Sequence, residues 1–360
     1  MLADGTDKAA ERPSDSNERD DWHRQPTGEP PNYAGSSSDR TGSSVPPSFV
    51  HRITKYDPVD RDERGHYTGT EDTVSDHGPV EAAYLAAIAA FAESSGVDRL
   101  EIREPEVTGF VHFGLEPPVE GHGLGGLFPP DLIGYHDGAE VSLPAALELV
   151  RVMLRDHGAW CRLEASNVFT VHVGWDQYVY VGSDRLCADA VTRTRELGLF
   201  PEAMPASPYA AQLDEPGVTE VADEDFWERV RTTLDSRQTA LLEEAYVRNA
   251  ARWHRLTAEN LDAVRAGLSP RALVTVWPDL TPDVGAVLAA LPEDGSVEFV
   301  WEAQDGTISH AVVDDTEYQE LAALVAGARA ACALPMYLDE RHPLHYAALP
   351  DSDGVLRARW

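Results

Sequence analysis

Lysine is almost missing from this chain of 360 residues: only Lys8 and Lys55 occur, and Lys and Arg together number 29 against 62 Asp and Glu. The resulting net charge of -33 sets up a field that repels polyanions, which disfavours non-specific binding to DNA, RNA or anionic lipid. Cysteine is also scarce. Cys161, Cys187 and Cys332 are far apart and form no CxxC pair, which excludes a disulfide framework and points to a reducing cytoplasm. No apolar run is long enough to cross a bilayer, and the N-terminus lacks the basic segment and apolar core of a signal peptide. A glycine-rich stretch exists at Gly121-His122-Gly123-Leu124-Gly125-Gly126, but without GK[ST] it is no phosphate cradle. These absences lead us to expect a cytoplasmic protein with no cofactor, no DNA partner and no membrane partner.

The ordered patterns divide the chain into segments. Residues 1–47 are rich in Ser, Asp, Gly and Pro with no apolar period, and are predicted to be a disordered polar tail. Residues 48–205 alternate strands and helices. A strand is expected over 49–56, a helix over 78–95 ended by Gly96, and strands over 99–103 and 108–115. A second helix is expected over 144–156 with Pro144 in its first turn, then a strand over 160–164 and a third helix over 186–197, capped by Asp184. The central element is the run Phe169 to Asp184, two stretches of β-branched and aromatic residues around Gly174-Trp175-Asp176-Gln177, which reads as a β-hairpin. Residues 206–223 read as a linker and 224–268 as a helical connector, with helices over 225–234, 239–256 and 258–266. Residues 269–360 give strand, helix, strand, strand, helix, strand, the ferredoxin-like βαββαβ order shared with the RRM, and 356–360 add an edge strand. The fold class is therefore α+β: two mixed α/β modules, the C-terminal one ferredoxin-like.

Chemistry-bearing residues are few. His112 and His172 each lie on an expected strand between apolar residues, in Val111-His112-Phe113-Gly114 and Val171-His172-Val173-Gly174. Facing each other, such histidines would serve as general base and general acid on a phosphodiester, with the glycine-rich loop as a flap over them. The pair resembles the two-histidine phosphoesterases, but Gly114 and Gly174 stand where that family carries a phosphate-binding hydroxyl. Asp60, Asp62 and Glu71 match positions one, three and twelve of a calcium loop with Gly65 at six, while Arg64 brings a positive charge to the fifth position. Glu340, His342 and His345 offer metal-type ligands, but Pro343 interrupts the helix that would align them. Trp277 ends the first strand of the expected ferredoxin-like domain, where an RRM stacks a base, although the third strand has no aromatic. Trp175, Tyr178 and Tyr180 on the hairpin are expected to form a partner surface, with Val179 and Val181 on the opposite face.

The stretches Phe49-Val50-His51-Arg52-Ile53-Thr54-Lys55-Tyr56-Asp57-Pro58, Gly65-His66-Tyr67-Thr68-Gly69 and Gly174-Trp175-Asp176-Gln177-Tyr178-Val179-Tyr180-Val181-Gly182-Ser183 resemble an uncharacterised actinobacterial protein family. Some of its members carry an RNA-binding label, so the resemblance implies RNA as a partner. The residues themselves favour a non-enzymatic interaction or regulatory protein with a protein partner, ahead of RNA binding and of a phosphodiesterase using His112 and His172.

Overall fold

The computed structural model describes residues 47–64, 66–69, 77–107, 123–174, 178–208, 220–337 and 340–359. All of them belong to one compact unit, Arg40–Trp360. The tail expected over 1–47, apart from Pro47, and the strand expected over 108–115 lie outside the described residues.

The first half builds one sheet. Strands β1 (Phe49–Thr54), β2 (Arg99–Val107), β3 (Glu140–Ser142), β4 (Ala159–Ala165), β5 (Phe169–Val173), β6 (Val179–Ser183) and β7 (Phe200–Met204) pair in the order β3-β2-β4-β5-β6-β1-β7, antiparallel throughout. The expected hairpin is β5–β6, in a register that sets Val171 beside Val181 and His172 beside Tyr180. Three helices, α1 (Pro79–Ser95), α2 (Leu143–Leu154) and α3 (Ala188–Glu196), cover one face. Pro79 opens α1, and Gly96 ends it in the left-handed conformation at φ 72°, its N–H donating to Ala92 O. Ser142 caps α2 by accepting from Ala145 N. Asp184 was expected to cap α3 and does not; the cap position is Cys187, which offers no side-chain bond. Strand alternation sends Cys161, Leu163, Phe169, Val171, Val173, Val179 and Val181 into the core under the helices, with Ile88, Phe91, Leu149 and Val150.

The second half departs from expectation in two places. After α4 (Glu224–Arg237), capped by Asp223, the segment expected to be helical over 239–256 is a hairpin of β8 (Thr239–Val247) and β9 (Ala250–Thr257). Both faces of this hairpin are covered. Ala240, Leu242 and Leu256 pack toward α4, and Leu241 and Trp253 face the opposite way. A strand apolar on both sides loses its period-two signature and reads as a helix. Asn249, at φ 65°, makes the tight turn between the strands.

The βαββαβ order is present, as β10 (Leu273–Trp277), α6 (Val284–Ala289), β11 (Ser296–Glu302), β12 (Ile308–Asp314), α7 (Tyr318–Leu324) and β13 (Ala330–Pro335), with α5 (Leu261–Gly267) before them. The ferredoxin-like sheet is not formed. The β8–β9 hairpin and β14 (His345–Ala348) take β10 into a separate four-stranded sheet, β14-β10-β8-β9, while β12-β11-β13 makes a second one. Leu241, Trp253, Trp277, Val300 and Leu334 fill the space between the two sheets, and on the far side Phe299 and Ala331 pack with Leu321 and Val325 of the α7 segment and with Val284, Val287 and Leu288 of α6. Residues 356–359 add no edge strand. They run to the helix-free face of the seven-stranded sheet, where Arg359 pairs with Glu164 at 2.7 Å.

Candidate functional site

The face of the seven-stranded sheet opposite its helices carries most of the polar side chains that sequence reasoning had to explain. At its centre the rings of Trp160 and His172 lie 5.0 Å apart edge to face, and His172 and Tyr180 lie 6.2 Å apart. Trp160 Nε1 donates to Val173 O at 2.8 Å. His172 is 6 % exposed. Burial, helped by the positive charge of Arg162, pushes its pKa down to about 3. The ring is therefore neutral near pH 7, so it is a weak base and no proton donor for phosphodiester cleavage. His112 lies outside the described residues, and so does Trp175. Of the loop expected as a flap over His112 and His172, Gly121 and His122 are outside the described residues, and Gly123 is packed against Val152 and His157 at the end of α2, on the helix side.

One end of this face is built around Tyr178. The Arg52 and Arg61 guanidiniums lie 5.6 and 5.3 Å from its ring centroid. Arg52 Nε and Nη2 donate to Glu202 Oε2 at 3.1 and 3.0 Å, and Arg61 Nη1 lies 3.2 Å from the same oxygen. Tyr56 continues the cluster, 6.2 Å from Tyr178 and 4.5 Å from Tyr67, with Lys55 Nζ 5.0 Å from its ring centroid. The loop that delivers Arg61 is the stretch expected to bind calcium. It is a small hairpin in which Asp62 N donates to His66 O at 2.9 Å and Arg61 bridges Tyr67. Asp62 Oδ1 accepts from Arg64 N and His66 N at 2.9 and 2.8 Å, and the His66 amide is the main reason its carboxyl is held below its ordinary pKa. Asp62 thus serves the turn; Asp60 gives its carbonyl to Thr68, and Glu71 lies outside the described residues. Alternation along Phe49–Thr54 was the available signal for Arg52, but nothing local marked Arg61.

The other end is ionic. Arg162 Nε donates to Glu104 at 2.8 Å, and Arg359 holds both oxygens of Glu164 at 2.7 and 3.0 Å. Asp137, 1 % exposed, binds Arg103 at 3.0 Å and Arg271 at 3.3 Å. Arg271 in turn pairs with Asp351.

The remaining candidates are scattered. Trp277 is 3 % exposed between the two smaller sheets, its Nε1 donating to Glu243 at 2.9 Å and Arg341 lying 5.7 Å from its ring, so it presents no stacking platform. Tyr180, expected at an exposed surface, is 5 % exposed beneath the helix-free face. His345 Nε2 is 2.7 Å from Thr233 Oγ1, turned toward α4, whereas Glu340 and His342 are exposed. Among the described residues no group of three or more His, Cys, Asp or Glu side chains is disposed to hold a metal ion. Glu243 and Glu298 form a second titratable cluster, with Arg341 and His310 bonding Glu298 at 2.7 and 3.0 Å. Burial and then the charge of Glu298 raise the Glu243 pKa. On Glu298, burial acts upward but the bonds from His310 and Arg341 outweigh it and hold the pKa below its ordinary value. No cavity among those described opens onto this pair. Comparison with protein-family models, curated proteins and solved structures finds no match.

Proposed function

We propose that this is a non-enzymatic, cytoplasmic interaction protein that receives a protein partner on the helix-free face of its seven-stranded sheet. The observation that carries the reading is the Tyr178 end of that face, where Arg52, Tyr178 and Glu202 are partly open to solvent beside Tyr56 and Tyr67. Tyrosine and arginine dominate the energetics of protein interfaces, because each combines a large flat apolar body with a hydrogen-bonding tip. A net charge of -33 on the chain favours a protein over RNA as the occupant. The neutral His172 supports a recognition role for the face over proton transfer.

The test compares what the full chain and two variants capture from cell extract. Tyr178→Ala combined with Arg52→Glu should lose a specific partner, whereas Leu186→Ala, exposed on the helix side, should retain it. The same proteins retained in the same amounts by all three would refute the reading.

A further inference from the structure

Arg61 carries a guanidinium that the protein buries without bonding. Its side chain is 5 % exposed, and Nε, Nη1 and Nη2 make no hydrogen bond. A guanidinium has five N–H donors in a rigid fork, and a buried cation with idle donors is costly unless something accepts them. The ionic neighbour of Arg61 is Glu202 Oε2 at 3.2 Å, and that oxygen already accepts two bonds from Arg52, at 3.1 and 3.0 Å. Two guanidiniums thus share one carboxylate, which leaves one positive charge uncompensated among the described residues. The surplus is set in a chain with more than twice as many acidic as basic residues. Glu202 is 25 % exposed and belongs to β7, at the edge of the sheet, so its side chain has solvent to turn into.

We propose that Arg61 and Arg52 form a binding site for a phosphate-type oxyanion, inorganic phosphate or a phosphomonoester, which lies against Tyr178 and displaces Glu202. The charge count supports phosphate: with Glu202 turned out, two guanidiniums face a group that carries close to two negative charges at pH 7. The geometry supports it as well, since the guanidinium fork matches paired phosphate oxygens and uses the N–H groups of Arg61 that are idle in the free protein. Glu202 is then an internal competitor, holding the cations together until the anion arrives. The site lies at the Tyr178 end of the proposed partner face but does not rest on that reading, because it concerns the purified chain and a small anion alone.

The experiment measures the thermal unfolding midpoint of the full chain in inorganic phosphate, in O-phosphoserine with serine as control, and in sodium chloride of equal ionic strength. At about twenty times the dissociation constant, phosphate should raise the midpoint by about 3 °C over chloride. An equal rise with O-phosphoserine extends the site to phosphomonoesters, and a rise with phosphate alone confines it to the free anion. Arg61→Gln should abolish the rise, and Glu202→Gln, which removes the competitor, should tighten phosphate binding severalfold by calorimetry. Equal midpoints in phosphate and chloride would overturn the proposal, as would a rise that survives Arg61→Gln. Should Arg61→Gln fail to fold, an unchanged phosphate affinity in Glu202→Gln overturns it.

Discussion

Asp137→Ala is the substitution with the largest expected effect on this fold. Asp137 Oδ1 accepts from Arg103 Nε at 3.0 Å and from Glu104 N at 2.9 Å, and Oδ2 accepts from Arg271 Nη1 at 3.3 Å. The carboxylate is 1 % exposed, and the side chains of Arg103 and Arg271 are 8 and 11 % exposed. Arg271 keeps Asp351 when Asp137 is removed, at 2.8 and 3.0 Å. Arg103 keeps the carbonyl of Arg357 at 2.7 Å, and its nearest remaining carboxylate among the described residues is Glu101 at 3.9 Å. One buried cation is left nearly uncompensated, a situation that costs about 3–5 kcal/mol. Asp137→Asn keeps an acceptor for the Glu104 amide but gives up the charge, and the loss should be about 2 kcal/mol.

Urea unfolding of the full chain measures both values. Because the pairs are buried, about 1 M sodium chloride should not reduce the effect. The exposed pair Arg231–Asp262, at 2.9 Å, provides the contrast: Asp262→Ala should leave the unfolding midpoint where it is. A loss below about 1 kcal/mol for Asp137→Ala, or one that salt abolishes, would refute the argument that this carboxylate anchors the two arginines.

Two further predictions concern titratable groups. The unfolded His172 takes up its proton near pH 6.5 and the folded one only near pH 3, so between these values the unfolded chain binds more protons and stability falls as the pH drops. His51, lowered by burial and then by Arg195, acts with the same sign. His172→Gln should flatten the acid-side dependence of the unfolding free energy by up to about 1.4 kcal/mol per pH unit, and an unchanged slope would refute the neutral buried ring. The thiols of Cys161 and Cys332 are pushed up to about 12, mainly by burial. A thiol reagent at mildly alkaline pH should therefore modify the native protein slowly and all three cysteines quickly in urea. Full modification of the native chain at the unfolded rate would contradict this.

Local signals read well where one face of an element is covered and the other is not. The β5–β6 hairpin kept its alternation because helices cover Val171, Val173, Val179 and Val181, while His172 and Tyr180 take the other side. The helix expected over 78–95 was marked by the helical spacing of Val80, Tyr84, Ile88 and Phe91 and by Gly96 at its end. The reading failed at 239–256, where Leu241 and Leu242 point into two different cores and no period survives. It failed again for the βαββαβ order, because element order does not specify which strand β10 pairs with, and the unseen β8–β9 hairpin supplied its partner. The site was legible only in part. Tyr178 was marked by its strand, but its significance depends on Arg61, Arg52 and Glu202, which come together through long-range pairing of β1 with β7 and a loop of no recognisable pattern.

The expectation of two separate modules meets a physical difficulty in the same polar face. Tyr246, Val247 and Ala272, from the second half, are buried in the core of the first. The C-terminal segment then crosses to the seven-stranded sheet, where Arg357 O accepts from Arg103 and Arg359 clasps Glu164. Arg271 joins Asp137 of the first half to Asp351 of the second, its guanidinium lying against Gly138, where a side chain on a residue at φ 81° would collide with it. An excised first half would therefore leave Glu164 without Arg359 and Asp137 with Arg103 but not Arg271, and would expose an apolar patch. Buried charges tolerate solvent-free packing only in pairs, so each half depends on the other for its electrostatic balance. Arg61 departs from this pattern, sharing Glu202 with Arg52 and making no hydrogen bond, which is why an external anion is its fitting partner.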